Sequence, residues 1–231
     1  MSEEKKNATA VKARTEGKKQ GGLIHDALVL FAITVIAALA LGFVYELTKD
    51  PIAQAEAQAK VDAYKAVFPE MYGTKELGDP EAALKQANEL IASDKAYEGV
   101  TVDEILMAED ESGALLGWVL TVTSSKGYGG KITMTMGVSR GGTEAEGTLK
   151  GVEFLAISET PGLGMNAKEE KFRSQFRNAQ VGQYSLAKRN IAGDTEIDAI
   201  SSATITTTAV TRSINAGLKV IQKLFLDNKN I

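Results

Sequence analysis

The run Asp198, Ala199, Ile200, Ser201, Ser202, Ala203, Thr204 sets hydroxyl groups among small residues, with no base beside them to make them nucleophilic. Such a hydroxyl is suited to carrying a group rather than to attacking a substrate. The surroundings suit an anion. No Asp or Glu occurs from Ala199 to Leu226, while Arg212, Lys219 and Lys223 supply positive charge in a chain where 30 acids outnumber 26 bases.

Val210, Ile214, Leu218, Ile221 and Phe225 recur at spacings of three and four, which predicts an amphipathic helix from about Thr206 to Leu226. Thr204 then sits at or just before its N-terminus, where unpaired backbone N–H groups and the positive end of the dipole favour a phosphate. Ser202 and Ala203 are small enough to let one approach. A plainer reading makes Ser201 or Thr204 an N-cap. Spacing alone also leaves Thr206, Thr207 and Thr208 as nearby hydroxyls.

Two further glycine-bearing segments stand between apolar runs: Lys126, Gly127, Tyr128, Gly129, Gly130, and Ser158, Glu159, Thr160, Pro161, Gly162, Leu163, Gly164. By themselves they read as loop punctuation. Two apparent motifs fail on their context. Gly137 to Gly141 fits G-x-S-x-G, yet the single histidine, His25, lies in the leader, so no triad can form and a polar turn is expected. Gly162 to Ala167 fits a dinucleotide fingerprint, but Pro161 breaks the required strand-to-turn step and no β-α-β units surround it.

The elements that position these residues follow from composition and pattern. The chain has 231 residues and no cysteine, which excludes disulfides and Cys-ligated iron–sulfur or zinc sites, so redox chemistry requires an added cofactor. The first 25 residues hold six bases against three acids, and the remainder is net acidic, which argues against nucleic-acid binding. Ala27 to Tyr45 contains no charge, is bounded by Asp26 and Glu46, and is long enough to cross a hydrocarbon core of roughly 30 Å. A signal peptide has a shorter apolar core, although Ala38, Leu39, Ala40 mimics a cleavage site. The preceding Lys5, Lys6, Lys12, Arg14, Lys18 and Lys19 favour a cytoplasmic N-terminus. Ala32, Ala37, Ala38, Ala40 and Gly42 permit close packing against other helices in the bilayer. With no charged residue in the span, it offers no ion pathway.

The expected division is a basic cytoplasmic tail (1–22), a transmembrane helix (23–48), a helical connector (49–97) and an extracytoplasmic domain (98–231). Asp50 with Pro51 signals a new helix running to Val67, and Asp79 with Pro80 another through about Ile91. Val100–Ala108, Leu115–Thr123, Lys131–Val138 and Thr148–Ile157 read as strands of an antiparallel meander. Lys168–Asn178 reads as a helix. The expected fold class is α+β: an antiparallel β-meander flanked by helices, preceded by one transmembrane helix. Trp118 and Tyr184 are large enough to stack on a planar ring system, but core packing is the better reading of each.

Asp198, Ser201, Ser202, Ala203 and Thr204 resemble the flavinylation motif of the FMN-binding domain shared by the G component of Rnf electron-transport complexes and the C component of the sodium-translocating NADH:quinone reductase. That pattern has Asp, two variable residues, Ser or Thr, usually Gly, then Ala and a Thr that carries FMN through a phosphoester. Ser202 departs from the usual glycine. The segments around Tyr128 and from Glu159 to Gly164 resemble the same family's Gly-Tyr-Gly turn and ETPGLG segment, in the same order, and the anchor matches as well. The resemblance implies covalent FMN on Thr204. Under it, Glu159, Thr160, Gly162, Leu163, Gly164 and Tyr128 contact the cofactor, and Asp198 aligns the site or caps the turn. It implies an electron-carrying subunit of an ion-translocating ferredoxin:NAD oxidoreductase in the cell membrane, working with the other membrane and peripheral subunits. A separate flavin transferase would attach FMN from FAD. The equivalent quinone-reductase component and an extracytoplasmic scaffold with a vestigial flavin motif are the alternatives.

Overall fold

A computed structural model describes residues 21–141, 147–186 and 195–227. Most of the basic tail, and with it the lysines and arginine expected to set orientation, lies outside the described residues. The chain divides into two compact units, Met1–Glu56 and Ala57–Ile231.

Helix α1 (Gly21–Val67) is one continuous α-helix with Pro51 inside it. The separate helix expected to start at Pro51 does not occur. The ring fixes φ at a helical value, and the helix runs through it at the cost of one backbone hydrogen bond and of crowding at the carbonyl four residues earlier. In the first unit the apolar side chains of α1, among them Leu28, Phe31, Leu39, Leu41 and Phe43, are exposed all round. By length and composition this helix can cross a membrane.

The second unit is built on a six-stranded antiparallel sheet in chain order. Its strands are β1 (Gly73–Glu76), β2 (Val100–Glu109), β3 (Leu115–Ser124), β4 (Ile132–Ser139), β5 (Thr148–Ile157) and β6 (Ala179–Gln180). Alternation along β2 to β5 sends Val102, Ile105, Trp118, Leu120, Val122, Ile132, Met134, Met136 and Val138 into the main core. There they meet helix α4 (Thr204–Ile221), whose buried stripe includes Val210, Ile214, Leu218 and Ile221. Trp118 stacks on Phe225 with ring centroids 5.1 Å apart, and Tyr184 is buried, so both aromatics serve the core as expected.

The last turn of α1 packs on a second, smaller cluster with Ala108 and Val119. A glycine pair makes room for it: Gly137 lies in register with Val119 and Gly151, and a Cβ on Gly137 would stand 2.5 Å from the Val67 carbonyl oxygen. Gly137 to Ser139 therefore belong to β4, not to the polar turn expected there. Helix α2 (Pro80–Ala92) has the anticipated cap, Asp79 accepting the Ala82 N–H at 3.0 Å.

Between the sheet and α4 the expected helix over Lys168–Asn178 is broken into a 3-10 turn (Gly164–Lys168), a short α3 (Glu170–Arg173) and another 3-10 turn (Ser174–Phe176). Glu169 is extended and interrupts it, while Phe172 and Phe176 anchor the segment edge-to-face in the core. Strands β7 (Ser185–Leu186) and β8 (Glu196–Ile197) pair in parallel and lead to the start of α4.

Candidate functional site

Two of the three motif segments meet at one carboxylate, and the start of α4 lies against one of them at Gly164. Glu159 is 6% exposed, and its two oxygens accept the backbone N–H groups of Tyr128 at 2.8 Å and Gly129 at 3.2 Å. Glycine is what permits this approach. A Cβ on Gly127 would lie 2.8 Å from Glu159 Oε1, and one on Gly164 would lie 2.7 Å from Glu159 Oε2 and 2.6 Å from Thr206 Oγ1. Thr206 belongs to the first turn of α4. Glu159 thus ties the 127–130 turn to the 158–164 loop, and Gly164 seats that loop against the start of α4.

The loop itself is a tight turn. Leu163 donates its N–H to the Thr160 carbonyl at 3.1 Å across Pro161 and Gly162, and Gly162 has φ +75°. Proline second and a left-handed residue third is the pattern of a type II turn. It leaves Thr160 and Leu163 exposed, beside a Tyr128 side chain that is 72% exposed.

A second turn presents Thr204. Ala203 donates its N–H to the Ile200 carbonyl at 3.0 Å, and Ser202, third in that turn, sits at φ +60°. This is the left-handed region where glycine is unstrained, which gives a physical reason for glycine at this place in the related motif. Ala203 is the N-cap of α4, and its side chain offers no cap hydrogen bond. Neither Ser201 nor Thr204 caps the helix, so the plain N-cap reading is corrected. Thr204 is the first helical residue and is exposed, and its hydroxyl makes no hydrogen bond among the described residues. The backbone N–H groups of Thr204, Ile205 and Thr206 likewise have no partner among the described residues. This end of the helix is open to an anionic group.

The three threonine hydroxyls that follow along the helix are less available. Thr206 and Thr207 are buried, and Thr208 donates to the Thr204 carbonyl at 2.7 Å. Thr207 Oγ1 accepts the Ile200 N–H at 3.1 Å and donates to the Ala203 carbonyl at 2.9 Å. Asp198 is exposed, and its side chain caps nothing among the described residues; its backbone is gripped instead, with its N–H donated to Gln175 Oε1 at 2.7 Å. Thr207 and Gln175 were not singled out for these roles by sequence. A threonine bonding back to a carbonyl four residues earlier is a common local habit, so only the fold shows what it holds.

One sequence expectation about charge is corrected. Arg212 reaches the Glu98 carbonyl, Lys219 pairs with Asp94 at 3.0 Å and Lys223 with Asp227 at 2.7 Å. These bases are spent along α4 and are not gathered at Thr204. The attraction for an anion comes from the uncapped helix end.

The second unit carries an FMN-binding domain, on a chain with a long apolar N-terminal helix. Two family models match the chain in order, the RnfG N-terminal region over residues 23–67 and the FMN-binding domain over residues 127–219. The chain carries both of these regions and is similar over most of its length to G components of ion-translocating oxidoreductase complexes. It is 29% identical over 201 residues to the G component of the Na(+)-translocating ferredoxin:NAD(+) oxidoreductase complex of Acetobacterium woodii, covering 85% of this chain and 90% of that one. It is 26% identical over 194 residues to the G component of the ion-translocating oxidoreductase complex of Methanosarcina acetivorans, covering 84% and 92%. Among solved structures it is similar to Shewanella oneidensis NqrC, with a TM-score of 0.46 at 18% identity over 70% of this chain and 72% of that one.

Proposed function

We propose that this chain is the membrane-anchored, electron-carrying subunit of an ion-translocating ferredoxin:NAD oxidoreductase complex, with FMN held covalently through its phosphate on the Thr204 hydroxyl. The observation that carries this reading is the exposed, unbonded hydroxyl of Thr204 at an uncapped helix end. It lies inside the segment that matches the FMN-binding domain.

The parts of the site divide the work. The unpaired N–H groups of the exposed Thr204 and Ile205 would offset phosphate charge, and the small Ala203 leaves room for it. Exposed Thr160, Leu163 and Tyr128 are the side chains available to the ring system and ribityl chain, while Glu159, Gly162 and Gly164 act by fixing the two loops. When bound, FMN supplies one- and two-electron chemistry that no residue of this cysteine-free chain offers. Asp198 is free to be recognised by a flavin transferase. That enzyme brings its own activating base, which accounts for the lack of one beside Thr204.

The 23–48 stretch serves as a single-pass anchor in the cell membrane, with the basic tail (1–22) cytoplasmic and the connector (49–97) and FMN-binding domain (98–231) outside. A covalent link there keeps a cofactor that would otherwise be lost. Ion transport falls to other subunits, because Ala27 to Tyr45 bears no charged side chain.

The test is in-gel flavin fluorescence of the denatured chain, purified with its complex from its own membrane. A fluorescent band at the mass of this chain, in a complex that reduces NAD with ferredoxin, supports the reading. A dark band from cells with an active transferase favours a scaffold.

A further inference from the structure

The acceptor turn is held from both ends by side chains outside the motif. At its start, the Gln175 carboxamide pairs with both backbone groups of Asp198, accepting its N–H at 2.7 Å and donating to its carbonyl at 3.4 Å. At its end, the fully buried Thr207 hydroxyl accepts the Ile200 N–H and donates to the Ala203 carbonyl, bridging the turn to the first turn of α4. Helices usually receive such a hydroxyl at the N-cap, where it consumes the first free N–H groups. Here it comes from inside the helix and bonds the turn instead. The turn is fixed while the N–H groups of the exposed Thr204 and Ile205 stay unpaired.

We infer that Gln175 and Thr207 are positioning residues for flavin attachment, holding the Asp198–Thr204 turn in the one shape that presents the acceptor hydroxyl to the transferase. This rests on the reading of Thr204 as the attachment point. In the transfer, a bond forms between Thr204 Oγ1 and the phosphorus of the FMN half of FAD, and the pyrophosphate P–O bond breaks. AMP leaves, and the threonine proton passes to a base of the transferase. A loose turn would lower the fraction of chains with the hydroxyl in line. FAD binding to the transferase would be untouched.

The experiment incubates the full-length chain in detergent with purified flavin transferase and FAD, following covalent flavin by fluorescence and the fold by Tm. Thr207→Val is expected to cut the turnover rate about tenfold with KM for FAD unchanged, the effect of freeing one buried donor and one acceptor. Thr207→Ser, which keeps the hydroxyl, is expected to restore the rate. Gln175→Leu, at a partly exposed site, is expected to slow transfer in the same manner and keeps the test decisive where Thr207→Val fails to fold. Folded Gln175→Leu and Thr207→Val chains modified at the unsubstituted rate would overturn the positioning role alone. An unsubstituted chain that stays unmodified would bring down the flavin reading itself, and this role with it.

Discussion

The carboxylate of Glu159 accepts the backbone N–H of Tyr128 at 2.8 Å, across 31 residues of sequence. With the companion bond from Gly129, this clamp couples the turn that carries the exposed Tyr128 to the loop that carries the exposed Thr160 and Leu163. Glu159→Ala leaves both donors without their acceptor, and the expected loss of stability is about 1–3 kcal/mol. Glu159→Gln keeps a single acceptor oxygen and should fall between. Chemical denaturation of the second unit's transition checks the order.

Ser202 occupies a left-handed conformation at φ +60°, which an L side chain adopts at a cost. Ser202→Gly should therefore stabilise the chain by about 0.5–1 kcal/mol, the relief of strain exceeding the added backbone entropy. An upward shift of the denaturation midpoint with an unchanged slope is the expected result. A downward shift would mean the serine side chain contributes a contact of its own.

Gly137 is the seat of the last turn of α1. A Cβ there would press on the Val67 carbonyl and stand 3.2 Å from the Phe68 ring. Gly137→Ala is expected to cost about 1–3 kcal/mol by overpacking. Gly113→Ala has open space around it but φ +82°, so its penalty should reflect backbone strain alone. Comparing the two by thermal melts separates crowding from conformation.

Burial pushes the Tyr184 hydroxyl up to about 12, where it donates to the Gln180 carbonyl at 2.5 Å. The folded chain thus keeps a proton that the unfolded chain releases near pH 10. The stability this group contributes is complete below pH 10 and declines as pH rises toward 12. Tyr184→Phe should flatten the fall of Tm over that interval, and ultraviolet difference spectra should show one fewer late-ionising tyrosine.

How much of this the sequence disclosed depends on where each feature gets its stability. The four long strands were legible to within a residue or two because apolar alternation and glycine-rich turns bound them locally. The helix after Thr204 was legible from its apolar stripe. Pro51 misled, since a cap signature and a mid-helix proline look alike when only local sequence is read. The helix expected over Lys168–Asn178 failed for a tertiary reason, two phenylalanines anchored in the core with an extended Glu169 before them. At the site, the motif residues were visible. The clamp by Glu159, the strut from Thr207 and the grip of Gln175 were not, because each joins positions brought together only by folding.

One hydroxyl, that of Thr204, is proposed to carry the flavin. The most direct test is peptide mapping by mass spectrometry of the chain purified from its own membrane, alongside Thr204→Val expressed in the same cells. The expected result is an FMN-sized adduct on the Thr204 peptide, lost in the variant, with Tm nearly unchanged because the residue is exposed. Covalent flavin persisting in Thr204→Val, on Thr208 or any other hydroxyl, would contradict it.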